Sequence, residues 1–222
     1  ATSHTEQAHR HALRSLPFAD RSDFERATRQ RLASIEPPII EGDLGRALWD
    51  LTAYSFLDED CPPEVHPSLW RQSQLNSIHG LFEVVDGIYQ VRGYDISNMT
   101  IIVGKSGWIV VDPLTCRETA AAALALARKH LGQAPVVAVI FTHSHLDHFG
   151  GVDAGLPQDP EARRKVRVIA PRGFVEEATS ENIFAGPAML RRASFMYGMA
   201  LPKDERGHVD TGLGKQPARG SI

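Results

Sequence analysis

The sequence predicts an α/β fold, a β-sheet covered by helices, on three observations. Apolar runs in the middle of the chain come in pairs joined by short turn signals, as hairpins do. An Ala- and Leu-rich stretch of helical character follows them. Then Val136-Val137-Ala138-Val139-Ile140-Phe141, continuous and largely β-branched, reads as a strand buried on both faces.

Taken in order, residues 1–17 are polar and carry His4, His9 and His11, and they read as a mobile terminus. Ser22-Asp23-Phe24-Glu25 has the form of a capping box with Ser22 as N-cap, which predicts a helix to about Ser34, ended by Pro37 and Pro38. Trp49, Tyr54, Phe56 and Trp70 follow among prolines and acids, with a short helix opening at Pro67; this aromatic extension is expected to pack across the main domain. Leu81–Val85 and Ile88–Val91 form a hairpin about Asp86-Gly87, and Met99–Val103 with Trp108–Val111 a second one, whose sheet edge ends at Asp112-Pro113. Thr115 to Leu131 is a helix closed by Gly132. After the strand 136–141 come a polar segment 153–165, a strand 166–170, a helix from Pro171 to about Phe184, and another over Pro187–Met196. The division expected is an extension at 1–79 and a catalytic portion at 80–222.

The buried strand ends in Thr142-His143-Ser144-His145-Leu146-Asp147-His148-Phe149-Gly150-Gly151, which gathers three of the ten histidines. In an extended segment residues two apart face the same side, so His143 and His145 can share one metal ion. Asp147 and His148 lie beyond the turn and can face a second, at the roughly 3.5–4 Å separation of two-metal hydrolytic sites. Gly150 and Gly151 let the backbone pass close to the ions and enter a helix. Imidazole and carboxylate donors without a thiol suit zinc best, with iron or manganese possible. Asp147 is also placed to orient or deprotonate a water, a dual role that sequence leaves open.

H-x-H-x-D-H after an apolar strand resembles the signature of the metallo-β-lactamase superfamily. Arg92–Thr100, Gly107–Thr115 and Glu181–Gly186 narrow the likeness to its type III alkylsulfatases, zinc enzymes that degrade detergents such as dodecyl sulfate. The likeness runs from about Leu81 to Lys215. It implies an αββα sandwich of which the first half is present. It also implies two Zn2+ ions, an alkyl sulfate ester as substrate, inorganic sulfate and an alcohol as products, and a homodimer formed through segments beyond residue 222. Export to the periplasm or medium is the expected location, with the cytoplasm as the alternative. The family completes its metal site with two glutamates and a histidine from the second half of the domain. His208 lacks a supporting strand and reads as a solvated loop histidine rather than a ligand. Ending in the loop Ala218–Ile222, the chain reads as the N-terminal part of a larger protein, with the remaining ligands beyond Ile222 or on a second chain. Tyr197, in Ser194–Gly198, matches a family stretch bordering the active site and is the candidate substrate contact, a buried structural tyrosine being the alternative. Arg191 and Arg192 read as solvent-facing.

Composition narrows the alternatives. A formal charge of −3 with both signs interspersed gives no basic footprint for nucleic acid, which disfavours a nuclease. No window approaches the apolar length of a membrane span. Flavodiiron-type oxidoreductases carry Glu where His145 stands. Thioesterase or lactonase chemistry on the same motif, or a non-catalytic metal-binding fragment, remain the rival readings. Cys61 and Cys116 read as unrelated thiols, neither disulfide-bonded nor nucleophilic.

Overall fold

The computed structural model describes residues 1–42, 45–216, 218 and 220–222. Its first element is a helix, α1 (Ser3–Ser15), in place of the expected mobile terminus. Thr2 caps it by accepting from the Thr5 N–H at 3.3 Å, and His9 docks it on the extension through the Pro63 carbonyl at 2.8 Å. α2 (Ser22–Thr28) begins where expected but stops early, and Ser22 is inside the helix, not its cap. Its N–H instead donates to the Asp20 carboxylate at 2.8 Å. Gln30, at φ 56°, then turns the chain into β1 (Arg31–Ala33). Pairing with the sheet thus overrides the helical propensity read as far as Ser34.

β2 (Ile39–Glu41) and β3 (Ala47–Asp50) form a two-stranded ribbon. Trp49 turns from it into the main core, and its indole N–H donates to the Gly93 carbonyl at 2.9 Å. A 3-10 segment over Thr52–Asp58 leads to α3 (Pro67–Asn76), which Pro67 opens as expected. Tyr54, Leu57, Val65, Trp70 and Val209 make a second, smaller core there.

The hairpins appear as read: β4 (Gly80–Val85) with β5 (Ile88–Arg92), and β6 (Met99–Val103) with β7 (Trp108–Val111). α4 (Arg117–Leu131) follows, ended by Gly132 at φ 91°. β8 (Val136–Ile140) and β9 (Arg167–Ile169) extend the sheet in parallel, giving the order β1-β4-β5-β6-β7-β8-β9. β7 is therefore an interior strand, and Asp112-Pro113 does not lie at a sheet edge. Between β8 and β9 sits α5 (Pro160–Arg163); α6 (Phe174–Thr179), continued by a π-helical turn to Phe184, and α7 (Gly186–Met196) come after. Arg191 and Arg192 are exposed on α7. Among the described residues no helix is long and apolar enough to cross a membrane.

α4 lays Ala120, Ala123, Leu124 and Ala127, all fully buried, on the sheet residues Val91, Met99, Ile101, Trp108, Val110 and Val139. The alanines bring the helix axis close to the sheet, and this layer fixes the height at which β7 and β8 end. Both cysteines are free thiols; Cys116 is buried and Cys61 half-buried.

The segment after α7 returns to the extension. Lys215, 2% exposed, donates from Nζ to the Ser73 carbonyl (2.8 Å) and hydroxyl (2.7 Å) and to Asp210 (3.1 Å), and lies over the Tyr54 ring. Burial, partly opposed by Asp210, pushes its amine from 10.5 down to about 8. Between those values the unfolded chain holds a proton that the folded chain has released, so stability rises with pH across that window. At about 1.4 kcal/mol per pH unit the full effect is about 3 kcal/mol. Tyr54, whose phenol burial pushes well above its ordinary 10.0, reverses the trend at higher pH, because the unfolded chain then ionises first. His148, whose pKa is raised, and the half-buried Cys61 and buried Cys116 thiols pull stability down over the same range, so the expected result is a difference: from pH 8 to 10 the urea midpoint of the native sequence gains on that of Lys215→Met.

Candidate metal centre

β7 and β8 run in parallel and end side by side, Val111 opposite Ile140. Each is followed at once by a chemically active residue, Asp112 after β7 and the Thr142–His148 loop after β8. Open α/β sheets hold their ligands at such carboxyl ends.

The loop is built on Asp112. Its carboxylate accepts from the Thr142 N–H (2.8 Å), the Thr142 hydroxyl (2.7 Å) and His148 Nδ1 (2.7 Å). Burial alone would raise the Asp112 carboxyl, but these hydrogen bonds outweigh it and hold it below its ordinary value. Because Thr142 gives its hydroxyl proton to Asp112, His143 Nδ1–H donates to the Thr142 oxygen at 2.9 Å. His143 Nε2 is left with a free lone pair. Burial, followed by the charges of His148 and His145, lowers the His143 pKa and favours that neutral form.

His148 has the same logic. With its Nδ1–H on Asp112, its Nε2 points at Asp147 Oδ2, 3.1 Å away. A neutral imidazole nitrogen and a carboxylate oxygen are both acceptors and face one another only across a positive charge, a proton or a metal ion. As a proton site the pair resists burial: hydrogen bonds to Asp112 and Asp147, then their charges, raise His148 to about 9. Asp147 is held low by the same partner against the effect of its own burial. As a metal site the spacing also fits, since two ligands of one tetrahedral zinc at about 2.0–2.1 Å stand about 3.3 Å apart. Zinc-bound histidines characteristically give their other ring N–H to a carboxylate, as His148 does.

The three rings share one small volume. His143 lies 4.0 Å from His148 and 4.6 Å from His145, centroid to centroid. His145 is more exposed, with Nε2 3.6 Å from Glu181 Oε1. Among the described residues no three His, Cys, Asp or Glu donors converge on a single point able to hold a metal. The donors fit a metal in kind and the His148–Asp147 pair fits one in spacing, and one loop carries all four residues that the sequence singled out.

Three expectations change. β8 ends at Ile140, so the histidines sit in a turn and not on a strand extension, and His143 approaches His148 more closely than His145. Gly150 and Gly151 also make room for backbone, since an added Cβ would stand 2.0 Å from the Thr115 carbonyl and 2.2 Å from that of Pro113, and they lead into a 3-10 turn in place of the expected helix. His208 is neither solvated nor among the loop donors; it is 3% exposed, with Nδ1 bonded to the Tyr54 hydroxyl at 2.9 Å, because the second core closes over it. Tyr197 lines a cavity of about 780 Å³ with Val65, Leu69, Phe195, Leu201 and His208, whose lining includes none of the four loop residues.

Sequence reasoning missed Asp112, Thr142 and Ser97, whose hydroxyl donates to the Asp147 carbonyl. A signal existed for Asp112, which ends an apolar strand just as the histidine loop does.

The sequence pattern of the metallo-beta-lactamase superfamily matches residues 92–215, more than half of the chain. The chain belongs to the metallo-β-lactamase superfamily. Within that superfamily it is 49% identical, over its whole length, to a linear primary-alkylsulfatase of Pseudomonas sp.. It is 46% identical over 98% of its length to an alkyl/aryl-sulfatase of Saccharomyces cerevisiae. A solved structure, a stereoselective inverting sec-alkylsulfatase of Pseudomonas sp., superposes on the entire chain with a TM-score of 0.93 at 47% identity. The chain spans about a third of these proteins: 33%, 34% and 35% of their lengths respectively. The α/β architecture read from sequence is thus that of the alkylsulfatase metallo-β-lactamase domain.

Proposed function

We propose that this chain carries the metal-binding loop of a zinc-dependent hydrolase that cleaves alkyl sulfate esters to an alcohol and inorganic sulfate. The chemistry rests on one observation: His148 Nε2 and Asp147 Oδ2 face each other at 3.1 Å with the Nδ1 proton already committed to Asp112, which makes the pair a seat for a cation. The substrate class rests on the likeness to the alkylsulfatases.

In this reading His143 and His145 hold one zinc ion and Asp147 and His148 the second, with further donors supplied by the longer part of the protein that the relatives contain. When bound, zinc acidifies water and polarises the ester. The chain's own groups do the rest. Asp112 fixes the tautomer and plane of His148 and, through Thr142, the tautomer of His143. Asp147 orients the attacking water and accepts its proton. Tyr197 is proposed to give its phenol proton to a sulfate oxygen.

The test uses the full natural chain with a medium-chain alkyl sulfate, quantifying inorganic sulfate. Release is expected to vanish with a strong chelator and return with zinc. A zinc-loaded protein that releases no sulfate but opens a thioester or lactone would move the assignment elsewhere in the superfamily.

A further inference from the structure

We propose that Ser97 is a positioning residue for the metal centre, holding Asp147 and His148 at their mutual spacing, and that Asp95 anchors the loop from which Ser97 reaches. The inference rests on the metal reading above.

Ser97 belongs to the β5–β6 connection, 50 residues from the histidine loop in sequence, and is 6% exposed. Its hydroxyl proton goes to the carbonyl oxygen of Asp147. That carbonyl lies in the peptide joining Asp147 to His148. Fixing this one peptide plane therefore fixes the relative placement of both side chains, which contacts to either side chain alone would not do.

A clamp needs a rigid base, and Asp95 provides it. Its carboxylate, 3% exposed, receives on Oδ1 the Ile96 N–H (2.8 Å), the Thr115 hydroxyl (2.8 Å) and the Ala218 N–H (3.2 Å). On Oδ2 it receives the Thr115 N–H (3.0 Å) and the Thr119 hydroxyl (2.8 Å). A buried carboxylate this fully satisfied ties the Ser97 loop to the start of α4. The carbonyl of Thr115 in turn backs Gly150, where a Cβ would come within 2.0 Å of it. One block thus grips the C-terminal half of the metal loop at two points, at Asp147 through Ser97 and at Gly150 through Thr115.

A positioning role differs from a merely structural one in what it changes. Ser97→Ala in the full natural chain is expected to weaken one of two zinc ions roughly ten- to hundredfold, in line with other outer partners of metal ligands, and to leave the other unaffected. The visible spectrum of the cobalt-substituted protein is expected to change with it. Ser97→Thr keeps the hydroxyl and is expected to restore both. Competition with a chromophoric chelator reads the affinities. Native affinity for both ions in Ser97→Ala, or equal weakening in a folded Ser97→Thr, overturns the proposal while leaving the zinc hydrolase reading intact. A native protein that takes up no zinc overturns both. Should Ser97→Ala fail to fold, Ser97→Cys, with its weaker donor, replaces it under the same two outcomes.

Discussion

Under the proposed zinc alkylsulfatase reading, alanine at His148 in the full natural chain is expected to lower kcat/KM for alkyl sulfate by at least about a thousandfold, a loss of about 4 kcal/mol of transition-state stabilisation, and to remove one of the two proposed zinc ions. The size follows from where the ring sits. It is bonded to Asp112 at 2.7 Å and faces Asp147 at 3.1 Å, so its removal would deprive the second proposed ion of a ligand and leave two carboxylates without their common partner. Asp112→Asn is expected to be milder, a loss of roughly ten- to hundredfold, because the ligands remain and only their orientation suffers. Asparagine is the suitable replacement there: Asp112 has φ 54°, a conformation Asn tolerates and Ala does not. Metal analysis and steady-state kinetics on both variants give the comparison. Activity of His148→Ala within tenfold of native would remove His148 from the ligand set.

The candidate site divides along the same line in what the sequence made legible. His143, His145, Asp147 and His148 were readable because their chemistry is concentrated in six consecutive residues behind an apolar strand. The partners that orient them were not, because they arrive from other elements: Asp112 from the end of β7 and Ser97 from the β5–β6 loop. The central strands and α4 were legible for the same local reason, since their apolar periodicity and turn residues are decided within a few residues. The lead-in was harder. A capping pattern at Ser22 lost to the Asp20 carboxylate, and the helix expected beyond Thr28 lost to pairing of β1 with β4, a long-range contact that no local pattern announces. His208 was misread because its burial depends on Tyr54, far away in the chain.

Alanine at Gly151 is expected to destabilise the fold by about 3 kcal/mol or more, with Gly150→Ala similarly severe. Neither position needs glycine for a left-handed backbone; both need it for room. A Cβ on Gly151 would meet the Pro113 carbonyl at 2.2 Å, the Cys116 carbonyl at 2.5 Å and the Ala120 side chain at 2.7 Å. On Gly150 it would meet the Thr115 carbonyl at 2.0 Å and that of Leu146 at 3.1 Å. Backbone oxygens cannot rotate aside as a flexible side chain does, so the histidine loop must lift away from the start of α4. That movement breaks the hydrogen bond from the Gly151 N–H to the Leu114 carbonyl, 3.0 Å, and pulls on the peptide that joins Asp147 to His148. Stability and metal affinity are thus expected to fall together. Gly155→Ala is the control, since its added methyl meets only the Leu124 and Val136 side chains at 3.7 and 3.9 Å, ordinary contact distances. Urea denaturation followed by circular dichroism measures all three. A Gly151→Ala protein as stable as Gly155→Ala would mean that the loop does not press on the carbonyls of residues 113–116.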